Sequence, residues 1–229
     1  MRKGFAFHIA GDQHLPAIVH YGIDQHEDAG IAFAGPPVNN LYPRWWEPTP
    51  NGYNGATVAS QLLGNFVDSF GHPLTVLAVA NPKLTFRSFI LDAERDKSSG
   101  LGIVRFDKAK RTITVECWPF LADVTAPGTQ FPGWPRTFSQ LSNYQRKPVA
   151  HLPNLEIQGA ENPVVQVIEE PSGEVVYTLR IAGNSFRPPV YKAGTYTVKV
   201  SEPDRGLARV IRGLAAIDSN ERPKIDVKL

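Results

Sequence analysis

Cysteine occurs once in this 229-residue chain, at Cys117. A single thiol excludes an internal disulfide and any cysteine-built zinc site. Long apolar runs are also missing, and no stretch approaches the roughly 20 residues needed to cross a bilayer as a helix. Arg2 and Lys3 ahead of residues 4–10 imitate a signal peptide only faintly. The apolar part is short, and it ends at Asp12 without a small-residue cleavage site. Charge of one sign is scarce as well. With a net charge of +2 and no Lys/Arg run, the chain has no electrostatic signature for nucleic acid. Neither internal repeats nor low-complexity tracts occur.

What is abundant is punctuation. With 19 Gly and 20 Pro, the chain is rich in turns and poor in long helices. At 42% hydrophobic and 20% charged residues, it has an ordinary globular composition. The expected fold class is mainly β with few helices (α+β).

Residues 5–10 (Phe-Ala-Phe-His-Ile-Ala) read as a strand buried on both faces, ending at Gly11. Asp12 and His14 follow. Two residues apart at a strand end, they point the same way and can reach one cation, with donors suited to Zn, Fe, Mn or Ca. The plainer alternative is an Asx-turn or helix-capping aspartate beside a chance histidine. His8, within the strand, and His20, between Val19 and Tyr21, read as packed core histidines. His26, between Glu27 and Asp28, reads as a solvated loop residue. A strand so close behind Met1 that demands neighbours on both sides leads us to expect a piece of a larger protein. It also leads us to expect association with another chain or disorder near the N-terminus.

Residues 15–21 read as a short strand or a single helical turn, 22–30 as a polar loop, and 31–34 lead into the turn Gly35-Pro36-Pro37. In the segment 39–48, adjacent Trp45 and Trp46 cannot both face one core. One ring packs inward while the other lines a groove beside Arg44, or both simply pin a loop. Residues 51–55 are turn-rich, and 56–70 carry the only helix-compatible spacing, weakened by Gly64. Residues 74–80 read as a second fully apolar strand.

Beyond residue 83 the pattern becomes antiparallel. Strands are expected at 84–91 and 101–106, parted by the charged stretch 92–100. A hairpin turn at 107–110 leads to 111–118, which alternates as a half-buried strand. Three domain regions follow: 1–125, a Pro/aromatic-rich connector at 126–153, and a small all-β, sandwich-like unit at 154–229. Strands are expected there at 164–169, 174–181, 194–200 and 207–216.

Three segments together resemble the C-terminal portion of the alkaline phosphatase D-like (PhoD-like) metallophosphatases of the calcineurin-like superfamily. They are Gly11-Asp12-Gln13-His14, Asn40-Leu41-Tyr42-Pro43-Arg44-Trp45-Trp46-Glu47-Pro48, and Asp68-Ser69-Phe70-Gly71-His72-Pro73 with the strand after it. The resemblance covers the chain through about Trp118. In that superfamily the last metal-binding motif is Gly-His-x-His, and the alkaline phosphatase D branch has Gly-Asp-x-His. The resemblance implies the closing strands of a layered calcineurin-like fold and an exported location. It implies that Asp12 and His14 bind a divalent or trivalent metal (Fe, Zn, Mn or Ca) that activates water against a phosphoester substrate. Arg44, Trp45, Trp46 and His72 are the candidate substrate-binding residues.

The chain departs from the family in one respect. The earlier Asp-x-His, Gly-Asp and Asn-His motifs have no counterpart before Phe5 or later. Asp24, Asp28, Asp68, Asp92 and Asp96 are conceivable substitutes, but their surroundings read as loop surface. The expectation is therefore a chain without a complete metal site of its own, which needs an N-terminal catalytic half or another chain. The competing expectation is a non-catalytic β-rich module that binds carbohydrate or protein through Trp45, Trp46, Trp118 and Trp134.

Overall fold

A computed structural model describes residues 2–48, 62–84, 93–143, 145–218 and 220–229. The chain is mainly β and divides into two compact units, Ala6–Gln145 and Arg146–Leu229, with Arg2–Phe5 belonging to the second. The division falls inside the stretch read as a connector.

The first unit contains β1 (His8–Ala10), β2 (Ala17–Tyr21), β3 (Ile31–Ala34), β4 (Gly64–Val67) and β5 (Pro73–Val79). A one-turn helix α1 (Ala93–Asp96) precedes β6 (Gly100–Asp107), β7 (Thr112–Pro119) and β8 (Arg136–Ser139). The first five strands form one sheet in the order β1-β3-β2-β5-β4. Only β1 and β3 run parallel, with Ala10 opposite Ala34. The other three form the antiparallel sheet β6-β7-β8.

Alternation in β7 buries Ile113, Val115 and Cys117 on one face, as period two requires. Val115 and Cys117 join Ile18, Ile31, Phe33, Ala78 and Trp134 in one apolar cluster between the two sheets. Burial pushes the Cys117 thiol up to about 12, so it packs as a small apolar group rather than reacting. The sheets approach closely at Gly102, where an added Cβ would lie 2.7 Å from the Phe33 ring.

Several expectations need correction. Residues 5–10 are not one strand buried on both faces. Phe5 has a positive φ and packs edge-to-face on Tyr177 in the second unit, with centroids 5.8 Å apart. The strand itself begins at His8, which is exposed rather than a core histidine, and Ile9 is 54% exposed. The reason is topological: among the described residues β1 pairs only with β3, so it lies at a sheet edge. His26 is not simply solvated, since it bonds the Phe66 carbonyl through Nε2. Where the helix-compatible stretch 56–70 is described, it is strand β4 and a turn, because Phe66 is drawn into the core opposite Leu74. Residues 56–61 and the strand read at 84–91, apart from Leu84, lie outside the described residues.

The second unit builds a four-stranded antiparallel sheet in the order β12-β11-β15-β16. Its strands are β11 (Val164–Glu169), β12 (Glu174–Arg180), β15 (Thr195–Glu202) and β16 (Leu207–Ala215). The short β9 (Ala150–His151) pairs with β14 (Pro189–Val190). A further sheet combines β10 (Asn154–Gln158), β13 (Ser185–Phe186) and β17 (Lys224–Lys228). Val165, Val167, Val198 and Val200 are fully buried, as the alternation predicts. Lys3 anchors the N-terminal residues to this unit through a 2.6 Å ion pair with Glu174.

Candidate functional site

Asp12 and His14 follow the carboxyl end of β1, beside the carboxyl end of its parallel partner β3. Gly35 N–H donates to the Ala10 carbonyl there. Ligands collect at such ends because the loops that leave parallel strands are free to present side chains. Both residues have left-handed backbones, with φ of 60° and 59°. Asp and His adopt that region more readily than most side chains, and it turns the short loop sharply.

The two side chains converge, with His14 Nε2 lying 3.8 Å from Asp12 Oδ1. The other ring nitrogen, Nδ1, donates to the Tyr42 carbonyl at 3.0 Å. A carbonyl only accepts, so Nδ1 carries a proton; in the neutral ring Nε2 then presents its lone pair toward Asp12. Bonding one imidazole nitrogen to a carbonyl so that the other can ligate is the common arrangement around metal-binding histidines. Two donors about 2.1 Å from a tetrahedral ion stand about 3.4 Å apart, so a small rotation of Asp12 brings the pair to that spacing. Asp12 has room to move, because its side chain is fully exposed.

The pair is not a whole centre. Among the described residues, no group of three or more His, Cys, Asp or Glu is placed to hold a metal ion. Three of the conceivable substitutes, Asp28, Asp68 and Asp96, are engaged elsewhere. Asp28 is buried, contrary to its reading as loop surface, and its carboxylate accepts the backbone N–H groups of Ile23, Asp24 and Gln25. Asp96 pairs with Lys83. Asp92 lies outside the described residues.

The segment that carries Arg44, Trp45 and Trp46 borders the same end of the sheet. Asn81, just beyond β5, clamps Trp46 by accepting its N–H at 2.9 Å and donating to its carbonyl at 2.8 Å. The Trp46 ring turns inward, edge-to-face with Phe66 at 5.0 Å. Trp45 is 39% exposed and donates its indole N–H to the Pro82 carbonyl. Arg44 is exposed and has no ion pair among the described residues.

His72 does not join this group. It sits in the turn before β5, at the end where Tyr21 pairs with Leu74, whereas Ala17, close behind His14, pairs with Val79. Seven strand residues separate the two ends by roughly 20 Å. Its ring donates to Asp68 at 3.3 Å, and the backbone N–H groups of His72 and Phe70 lower the Asp68 pKa. Trp118 and Trp134 are likewise unavailable for recognition, being 6% and 8% exposed.

Local pattern gave no sign of the polar cluster behind His14. The charged stretch 92–100 reads as wet, yet Glu94, Lys97, Ser98 and Ser99 are buried, together with Asn40. Lys97 Nζ and Ser99 Oγ each donate to Glu94 at 2.6 Å, and the Asn40 backbone N–H donates to it at 2.8 Å. The one available signal was the i,i+3 spacing of Glu94, on α1, and Lys97, in the turn after it.

The chain matches no family model, no curated protein and no solved structure.

Proposed function

We propose that this chain is part of a metal-dependent phosphoester hydrolase of the alkaline phosphatase D-like kind. It supplies Asp12 and His14 as two ligands of a centre completed from another polypeptide segment. One observation carries this reading: the His14 ring is locked by Tyr42 with its free nitrogen turned to the Asp12 carboxylate. The edge position of β1 supports the second half of the proposal. A further parallel strand laid against that edge would end beside Asp12, where the remaining ligands are needed. When bound, the metal (Fe, Zn, Mn or Ca) supplies an activated water and polarises the phosphoryl oxygens.

In this reading His14 offers Nε2, Asp12 offsets the cationic charge, and Arg44 receives substrate phosphate oxygens through its planar fork. Its location outside the cell is part of the same proposal. No helix among the described residues is long and apolar enough to cross a membrane. The test is hydrolysis of bis(p-nitrophenyl) phosphate by the full-length protein with each metal added in turn. Asp12→Ala and His14→Ala are expected to lower kcat/KM at least about 100-fold, the scale of losing a metal-site group. Unchanged turnover in both variants overturns the proposal.

The exposed rings of Tyr42 and Trp45 favour a second reading, a carbohydrate-binding face without catalysis. Glycan-array binding that is lost in Trp45→Ala, with no hydrolysis under any metal, would select it.

A further inference from the structure

Asn40 is fully buried, and its side-chain amide joins two backbone carbonyls distant in sequence. Nδ2 donates to Lys97 O at 2.6 Å and to His14 O at 3.1 Å. Its Oδ1 has no hydrogen-bond partner among the described residues. A buried unpaired acceptor costs on the order of 1–3 kcal/mol, so the position uses the amide for its NH2 group alone. Two residues later in the same segment, Tyr42 supplies the carbonyl that accepts from the His14 ring. One stretch of chain therefore grips His14 twice, at its main chain and at its imidazole.

That stretch is itself anchored. Glu94 accepts from the Asn40 backbone, from Lys97 Nζ and from Ser99 Oγ, and these groups are all buried. Without these bonds, a histidine at φ 59° in a short loop has little to keep its ring aimed.

We propose that Asn40, anchored by the buried Glu94–Lys97–Ser99 cluster, is a positioning residue that sets the ring orientation and tautomer of His14. The positioning holds whether or not a metal is bound. Its consequence for metal affinity rests on reading His14 as a ligand.

The experiment follows the His14 ring nitrogens by long-range 1H–15N NMR in alkaline buffer, first alone and then with added Zn2+. In the native chain we expect the Nδ1–H tautomer and a Zn2+-dependent shift at Nε2. Asn40→Ala is expected to release the ring toward the Nε2–H form that free histidine prefers, and to weaken Zn2+ binding by about 10–100-fold. Tyr42→Ala keeps the carbonyl and leaves the tautomer unchanged. Should Asn40→Ala lose the native amide spectrum, Asn40→Ser keeps the backbone bond to Glu94 and reads the same signals.

A native tautomer and native Zn2+ affinity in a folded Asn40 variant overturn the positioning role while leaving the metal reading intact. A released tautomer with no Zn2+ response in the native chain does the reverse. In that case Asn40 positions His14, and the metal reading falls.

Discussion

His14 Nδ1 and the Tyr42 carbonyl oxygen lie 3.0 Å apart, and that bond decides which nitrogen of the ring faces Asp12. Everything proposed for this end of the sheet follows from the orientation it enforces. The partner is a backbone atom, so no side-chain substitution at position 42 removes the bond directly.

Asp12 and His14 occupy backbone conformations that glycine adopts freely, and the Asp12 side chain touches little. Asp12→Gly should therefore change unfolding free energy by less than about 0.5 kcal/mol, as expected for a surface position away from structural bonds. It should nevertheless abolish metal binding. Urea unfolding followed by tryptophan fluorescence checks the first point, since all four tryptophans lie in the first unit.

The Lys97–Glu94 pair makes a contrasting prediction. Lys97→Met leaves the Glu94 carboxylate buried without its cation, a defect costing about 3–5 kcal/mol. The double variant Lys97→Met/Glu94→Gln should recover part of that loss, because the stranded charge is gone. A double variant no more stable than Lys97→Met alone would show that the pair does not act as a unit.

Acid should weaken the first unit in two stages. Burial lowers the His20 pKa below its ordinary 6.5, outweighing the Ala29 carbonyl bond and the nearby Glu27 and Asp28 charges. The unfolded chain thus takes up this proton first, and the His20 contribution, whole above about pH 6.5, fades as pH falls toward the lowered value. Burial alone would raise the Glu94 carboxyl, but bonds from Lys97, Ser99 and Asn40 together hold it below the ordinary 4.5. Its contribution is whole above the unfolded value and is lost as pH falls through the folded one. Stability measured against pH should flatten in the upper stage for His20→Asn and in the lower stage for Glu94→Gln.

Gly102→Ala tests the packing of the two sheets. The new methyl group meets the buried Phe33 ring at 2.7 Å and Pro36 at 3.3 Å, so the ring must shift to admit it. A loss of about 1–3 kcal/mol is expected from overpacking. No change in the urea midpoint would show that the Phe33 ring yields to the methyl group without cost.

Much of the β framework was legible because period two survives wherever one face is wet. Ile113, Val115 and Cys117, and the alternating valines of the second unit, are of that kind. The first strand misled because an apolar run does not say whether neighbours exist, and among the described residues β1 has one where the pattern asked for two. Glu94 and Lys97 misled in the opposite direction. Charge reads as surface until a partner is in view, and the partner Asn40 lies 54 residues away in sequence. His72 shows the same limit: adjacency in a family-like motif does not carry it to the end of β5 where Asp12 and His14 meet.

The most direct test is a Mn2+ titration of the chain, followed by paramagnetic broadening of its amide signals. A cation site shared by Asp12 and His14 requires that broadening begin at those two residues, spread to Tyr42 and Arg44, and disappear in Asp12→Ala. Broadening that starts elsewhere, such as at Asp68 and His72, or that persists in Asp12→Ala, would contradict it.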